Sequence, residues 1–236
     1  MSLPHKGRVF RHRDTVTLGD VSPTGRARLD ALARWLQDAA FLDSRDSGLD
    51  DSGVWIVRRL ALRVRRFPRL LEELEIATFC SGAATLWAER SSIVSCAGEA
   101  VAEAVAVWVH LQRDGVRPRP LPAGFDAIYG ASAAGRRVRA RLRHPGEPPA
   151  GAAARPWQFR RADLDLAGHV NNAVYWEALE DELIAREPRA GIQAEIEHRA
   201  PADAGAAHVL SHGAMRWITD AAGAVVATLT AAPLPA

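Results

Sequence analysis

Two stretches of this chain are written on one template. The first runs Asp20-Val21-Ser22-Pro23-Thr24-Gly25-Arg26 and leads into Leu29-Asp30-Ala31-Leu32-Ala33-Arg34-Trp35-Leu36-Gln37. The second runs Asp163-Leu164-Asp165-Leu166-Ala167-Gly168-His169 and leads into a helix expected from about Asn172 through Leu183. Asp163 follows Asp20, and Gly168 follows Gly25, by the same 143 positions. A single repeat at so long a spacing argues for two copies of one domain rather than for a solenoid of short units. With 236 residues the chain has room for two domains of ordinary size.

Each copy presents its elements in the same order. A short strand comes first, expected at 13–18 and at 156–160. The turn and helix follow; Leu29, Leu32, Ala33, Leu36 and Ala40 recur at helical spacing, as do Val174, Ala178, Leu179 and Leu183. Then come β-rich runs at 55–64, 74–79, 85–94 and 100–111, and again at 192–198, 208–212, 215–219 and 225–230. A helix followed by an antiparallel sheet is the α+β arrangement in which a sheet covers one helix. Pro145 to Arg155 is a linker by composition. The expected division is therefore 1–130, a linker at 131–155, and 156–236.

The two copies differ in chemistry. Copy two has Asp165 where copy one has Ser22, and His169 where copy one has Arg26. An acid-rich turn, a Gly-His pair and two Asn residues thus run into an amphipathic helix in copy two alone. Unpaired N–H groups at a helix start carry partial positive charge and polarise a carbonyl held there. Asp165 and His169 stand where they could act on it. The same residues, taken singly, also cap helices and close turns.

The stretch from Asp163 through Gly168-His169-Val170-Asn171-Asn172 to Tyr175 resembles the D-x-D-x-x-G-H-V-N-N-x-x-Y signature of hotdog-fold thioesterases. A signature confined to the second of two copies resembles the acyl-ACP thioesterase family. Weaker resemblances lie in Thr78 to Gly82, in Trp87-Ala88-Glu89-Arg90, and in Ala106 to Val109 leading to Arg117-Pro118-Arg119-Pro120-Leu121-Pro122. The resemblance implies two tandem hotdog domains, each a helix wrapped by an antiparallel sheet. It implies hydrolysis of fatty acyl thioesters in fatty acid biosynthesis, with no metal and no organic cofactor.

Carried over by position, Asp165 becomes the catalytic acid and His169 the catalytic histidine. Gly168, Val170, Asn171 and Asn172 become the residues that hold the thioester and its oxyanion. The family has Asn where this chain has Ala167, and a water-holding Glu where it has Arg199; Glu195 and Glu197 stand nearby as replacements. Asp165 either activates water or attacks the carbonyl directly. Copy one is expected to be a structural half. Trp55, Trp87 and Trp176 are candidates for the wall of an acyl channel or for the core.

The expected partner is an acyl carrier protein, or CoA as the alternative carrier. An acidic carrier calls for a basic docking face. Arg58, Arg59, Arg63, Arg65, Arg66 and Arg69 form one cluster; Arg136, Arg137, Arg139, Arg141 and Arg143 form another. A formal charge of only +2 leaves no general case for nucleic acid. No apolar run has the length of a membrane span, and the first 15 residues lack the apolar core of a signal peptide. Cys80 and Cys96 show no disulfide or metal spacing, so a reducing cytoplasm is expected. A homodimer is a further expectation. The competing readings are an acyl-CoA thioesterase, a non-catalytic acyl-thioester binder, and a hotdog dehydratase or hydratase.

Overall fold

The structure, a computed structural model, describes residues 1–49, 53–112, 117–188 and 191–234. Its strands are β1 (Phe10–Thr15), β2 (Val54–Val64), β3 (Glu73–Ala83), β4 (Trp87–Cys96) and β5 (Glu99–Leu111), then β6 (Ala153–Phe159), β7 (Ile192–His198), β8 (Gly205–His212), β9 (Met215–Thr219) and β10 (Val225–Pro233). The helices are α1 (Leu29–Asp46), α2 (Phe125–Ala133) and α3 (Glu177–Ala185). The class is α+β.

The ten strands form one antiparallel sheet in the order β1-β3-β4-β5-β2-β7-β10-β9-β8-β6. The order contains the repeat. The first half reads 1-3-4-5-2 and the second, from its own edge, 6-8-9-10-7. Each half places its opening strand at an outer edge and its second strand at the seam. There β2 and β7 pair antiparallel, with Leu60 opposite Ile196 and Leu62 opposite Ala194. Alternation along these strands puts Leu60, Leu62, Ala194 and Ile196 on the face that carries the helices.

The amphipathic pattern of copy one makes α1 a core helix. Leu29, Leu32, Trp35, Leu36 and Ala39 are buried in one apolar cluster with Ile76, Ile196, Trp176 and Leu229. Full burial of side chains of this kind contributes roughly 1.5–3 kcal/mol each. Both halves share that core and contact each other through α1 and α3. The helix α2 adds a smaller cluster of Cys80, Ala88, Phe125, Tyr129 and Ala133.

Several boundaries differ from the sequence reading, two of them at the repeated turns. The first strand ends at Thr15, because Thr17 turns the chain by donating its N–H and hydroxyl to Asp20 Oδ2 (2.9 and 2.6 Å). The copy-two helix does not begin near Asn172. Asn171 Oδ1 accepts the Ala173 N–H at 2.9 Å, a capping contact. A 3₁₀ turn, Val174–Trp176, then precedes α3.

The linker is strapped down rather than loose. Beyond α2 it runs beside Ala83, and Trp87 Nε1 donates to Val138 O (2.9 Å). It then crosses the sheet face opposite the core. Arg59 Nη1 reaches Arg141 O (3.3 Å), and Glu197 accepts the N–H groups of Arg143 and His144 (2.6 and 3.0 Å). Trp217 Nε1 donates to Pro145 O (3.0 Å) before β6 starts at Ala153. Among the described residues, no helix is long and apolar enough to cross a membrane.

Candidate active site

The turn of copy two is built by its backbone. Asp165 N–H donates to His169 O and Gly168 N–H to Asp165 O, both at 2.9 Å. Gly168 adopts φ +77°, the left-handed region that glycine occupies without strain. Val170 N–H donates to Ala202 O (2.8 Å), tying the turn to the segment beyond β7, and Asn171 N–H donates to Asp163 O (2.9 Å).

The side chains of this turn face solvent. Asp165 is exposed; its Oδ1 accepts the Ala167 N–H at 2.8 Å, and its Oδ2 lies 3.5 Å from Asn171 Nδ2. His169 Nδ1 stands 3.2 Å from Asp203 Oδ1. Asp203 was not singled out from the sequence. It lies 34 residues beyond His169 and reaches it only through the Val170–Ala202 link. An acid shortly after β7 was the available signal.

The N–H groups of Gly168 and Val170 were expected to face an oxyanion. The structure corrects this: both are spent, on Asp165 O and Ala202 O. Of the backbone donors from Asp165 to Val174, those of His169 and Asn172 are among the few without an acceptor among the described residues.

Glu195 and Glu197 are also not where a water-positioning role needs them. His198, the next residue, faces the core, with its ring 5.0 Å from that of Tyr175. Glu197 therefore points to the opposite face, where it is fully buried under the linker and meets Arg199 Nη2 at 3.6 Å. Glu195 lies on that face too, 3.3 Å from His144 Nε2 and 3.8 Å from Arg59 Nε. Burial raises the Glu195 carboxyl, but His144 and Arg59 outweigh it and hold it below the ordinary Glu value. His144, Glu195 and Glu197 bring ligand-type atoms within 4.8 Å of one another. Their contacts with Arg59, Arg199 and linker N–H groups make the cluster a fastening for the strap. Arg199, in the place of the family's Glu, donates to His144 O (2.6 Å) on this same side.

On the core face, Asn172 and Ala173 of the signature line a small, partly open cavity of about 20 Å³. Its other walls come from α1 (Ala33, Leu36, Gln37), from the sheet (Leu60, Arg90, Ser92, Trp108, His198) and from Trp176. Trp176 thus lines the cavity, whereas Trp55 stacks on His110 and Trp87 anchors the linker. Trp108 takes the place expected for those two. Burial, with Arg58 nearby, pushes the His198 imidazole down to about 3, so the ring is neutral at ordinary pH. Burial likewise pushes the Tyr175 phenol up.

The two arginine clusters separate. Arg65 pairs with Glu103, Arg66 with Glu72 and Arg59 with Glu195, while Arg58 holds the carbonyls of His198 and Arg199. In the linker, Arg136 pairs with Glu89. Arg137, Arg139, Arg141 and Arg143 are exposed along the strap and have no carboxylate partner among the described residues.

Comparison with known proteins matches residues 7–129 to the acyl-ACP thioesterase N-terminal domain and residues 146–224 to the acyl-ACP thioesterase C-terminal domain. An uncharacterised protein of Mycobacterium tuberculosis is 26% identical over 206 residues, 86% of this chain and 81% of that one. Oleoyl-acyl carrier protein thioesterase 2 of Arabidopsis thaliana is 24% identical over 212 residues, covering 77% of this chain and 57% of the plant protein. The fold is similar to that of a 12:0-ACP thioesterase from Umbellularia californica (TM-score 0.75, 19% identity, 97% of this chain and 99% of that one). It is also similar to that of an acyl-ACP thioesterase from Bacteroides thetaiotaomicron (TM-score 0.73, 18% identity, 94% and 96%).

Proposed function

The chain belongs to the acyl-ACP thioesterase family, and we propose that the turn from Asp165 to Asn172 is where it cleaves its thioester. The reaction is hydrolysis of an acyl-ACP thioester to the free acid and the carrier thiol. The observation that carries the placement is that one signature does two things. Its exposed end presents a carboxylate and an imidazole, and its helix end, Asn172 and Ala173, forms part of the cavity wall.

In this reading each half is a hotdog domain, with 1–130 the structural copy and 156–236 the active one. The thioester carbonyl lies over the helix start, its oxygen toward the N–H groups of His169 and Asn172, where the helix end favours developing negative charge. Asp165 takes a proton from the attacking water, or attacks and forms an anhydride that water then opens. The carbonyl–sulfur bond breaks and the thiol leaves with a proton. His169, steadied by Asp203, orients the thioester. Asn171 steadies Asp165, a task its Nδ2 performs from 3.5 Å.

The four unpaired arginines of the strap suit an acidic carrier protein, and attraction of this kind mainly raises the association rate. We place the protein in the cytoplasm, in keeping with its two buried free thiols. Fusing two copies in one chain supplies the paired arrangement that a homodimer would otherwise provide. Purified protein assayed against acyl-ACP and acyl-CoA of varied length tests the reading. Thiol release with higher kcat/KM on acyl-ACP is expected; no release from either carrier would overturn it.

A further inference from the structure

Two of the residues that line this cavity carry a buried ring nitrogen with no hydrogen-bond partner among the described residues: Trp108 at Nε1 and His198 at Nε2. Such groups are rare, because an unsatisfied buried donor or acceptor forfeits its bond to water and gains nothing in exchange. These two are near neighbours in the fold. Trp108 on β5 pairs with Val57 on β2, and Glu197, just before His198, pairs with Arg59 on β2, either side of the bulge between Val57 and Arg59. Two strand spacings therefore separate them along one row of the core face. Ser92, Gln37 and Arg90 line the same cavity, a few polar groups in a wall otherwise built mainly of Leu36, Val57, Leu60 and alanines. Arg90 is held by Asp43 and Ser92 by Thr78 Oγ1, so neither is turned toward the two orphans by need.

We propose that this row selects an acyl chain carrying a hydroxyl near its carbonyl, a 3-hydroxyacyl thioester in preference to the unsubstituted one. The inference rests on the hydrolytic reading above and names its substrate class. Trp108 can only donate; a neutral imidazole both donates and accepts. One hydroxyl, donor and acceptor at once, satisfies both. A volume of about 20 Å³ is that of a single water-sized oxygen group rather than of several methylenes. The oxygen belongs close to the carbonyl because His198 lies against Tyr175, three residues past Asn172, and shares the cavity wall with Asn172 and Ala173. A site built to hydrogen-bond a hydroxyl rejects the analogue that lacks it far more strongly than an apolar site rejects an added one.

The test uses matched carrier-mimic thioesters of four and eight carbons, each with and without a 3-hydroxyl, and the full-length protein. Wild type should favour the hydroxylated member at least tenfold in kcat/KM, at whichever length it turns over faster. Trp108→Phe and His198→Phe should each bring the ratio toward one, while circular dichroism and a cooperative thermal transition close to wild type show that each variant is folded. Preference for the unsubstituted chain, or a ratio unmoved in both variants, overturns the proposal. The matching non-hydrolysable thioethers, titrated by calorimetry, should show the same preference in binding. A protein without turnover that still prefers the hydroxylated thioether would defeat the hydrolytic reading alone; equal binding of both thioethers would defeat the selectivity.

Discussion

The turn at Ser22 to Arg26 and the turn at Asp165 to His169 have one backbone and two fates. Ser22 N–H donates to Arg26 O (2.8 Å) as Asp165 N–H does to His169 O, and Gly25 N–H to Ser22 O (2.9 Å) as Gly168 N–H does to Asp165 O. Gly25 and Gly168 share their left-handed φ, +79° and +77°. Ala27 is tied to Pro68 O as Val170 is to Ala202 O. Even the first side chain does the same local work: Ser22 Oγ accepts the Thr24 N–H (3.3 Å), as Asp165 Oδ1 accepts that of Ala167 (2.8 Å).

The comparison isolates what the turn requires from what the chemistry requires. A serine suffices to close it, so the charge and second oxygen of Asp165 are not demanded by the fold. At the other position the copies diverge in burial. Arg26 is 3% exposed and locks the halves together. It lies 2.8 Å from Glu180 Oε1 of α3, though not aligned for a hydrogen bond, and its Nε donates to Glu187 (2.8 Å). Its ring neighbour is Phe67, 4.7 Å away. The Glu180 Oε2 also caps α1 through the Leu29 N–H (2.9 Å). His169 stays at the surface. Copy one was expected to be a structural half packed beside the other; Arg26 and Glu180 are the buried clamp between them.

Breaking the clamp should have the largest effect on the fold. Arg26→Ala leaves the buried Glu180 carboxyl without its cation, which costs about 3–5 kcal/mol; Glu180→Ala should cost less, because Glu187 still holds Arg26, and thermal denaturation should show a lower Tm for each. Arg26→Met with Glu180→Leu should recover most of that loss. His169→Ala, at the matching place in copy two, should change stability by under about 0.5 kcal/mol. Equal losses at both places would erase the distinction.

The reverse should hold for turnover. His169→Ala should lower kcat by at least roughly tenfold, or about 1.4 kcal/mol in barrier. Asp203→Asn should lower it a few-fold and shift the pH profile of kcat, and Asp203→Glu should restore both. An unchanged profile would leave Asp203 as a surface neighbour.

The docking contrast is smaller and depends on salt. Arg139→Glu with Arg141→Glu should reduce kcat/KM for acyl-ACP by several-fold at low ionic strength, and less as salt rises. Arg63→Glu with Arg65→Glu should do less, because Arg65 is already engaged by Glu103. A short neutral thioester should register neither change.

The smallest effect concerns acid stability of turn one. Burial raises the Asp20 carboxyl, but Thr17 and Arg34 outweigh it and hold it below its ordinary value. The folded state thus binds that proton less readily than the unfolded chain does. The resulting stability is present above the unfolded Asp value of about 4 and drains away as pH falls through the lower folded value. Asp20→Asn should flatten that acid limb in Tm measured against pH.

The repeat and its element order were legible in the sequence because helical and strand periodicities are local, and because Gly25 and Gly168 mark the positive-φ position of the two repeated turns. The strands from β2 to β5 and from β7 to β10 lie where the apolar runs predict them. What joins distant residues was not legible. Asp203 reaches His169, Glu180 reaches Arg26, and Trp108 and His198 come to line one cavity only once β5, β2 and β7 are side by side. Glu195 and Glu197 show the cost of reading proximity along the chain: one step from His198, Glu197 lies on the other side of the sheet.

Replacing Asp165 with serine writes the first turn onto the second and tests the asymmetry most directly. The turn should close as it does at Ser22, with Tm within a degree or two of wild type by the ordinary scale of surface substitutions. Thioester hydrolysis should fall by a hundredfold or more, about 2.7 kcal/mol in barrier. Undiminished turnover by a folded Asp165→Ser protein would contradict the account and move the chemistry away from this carboxylate.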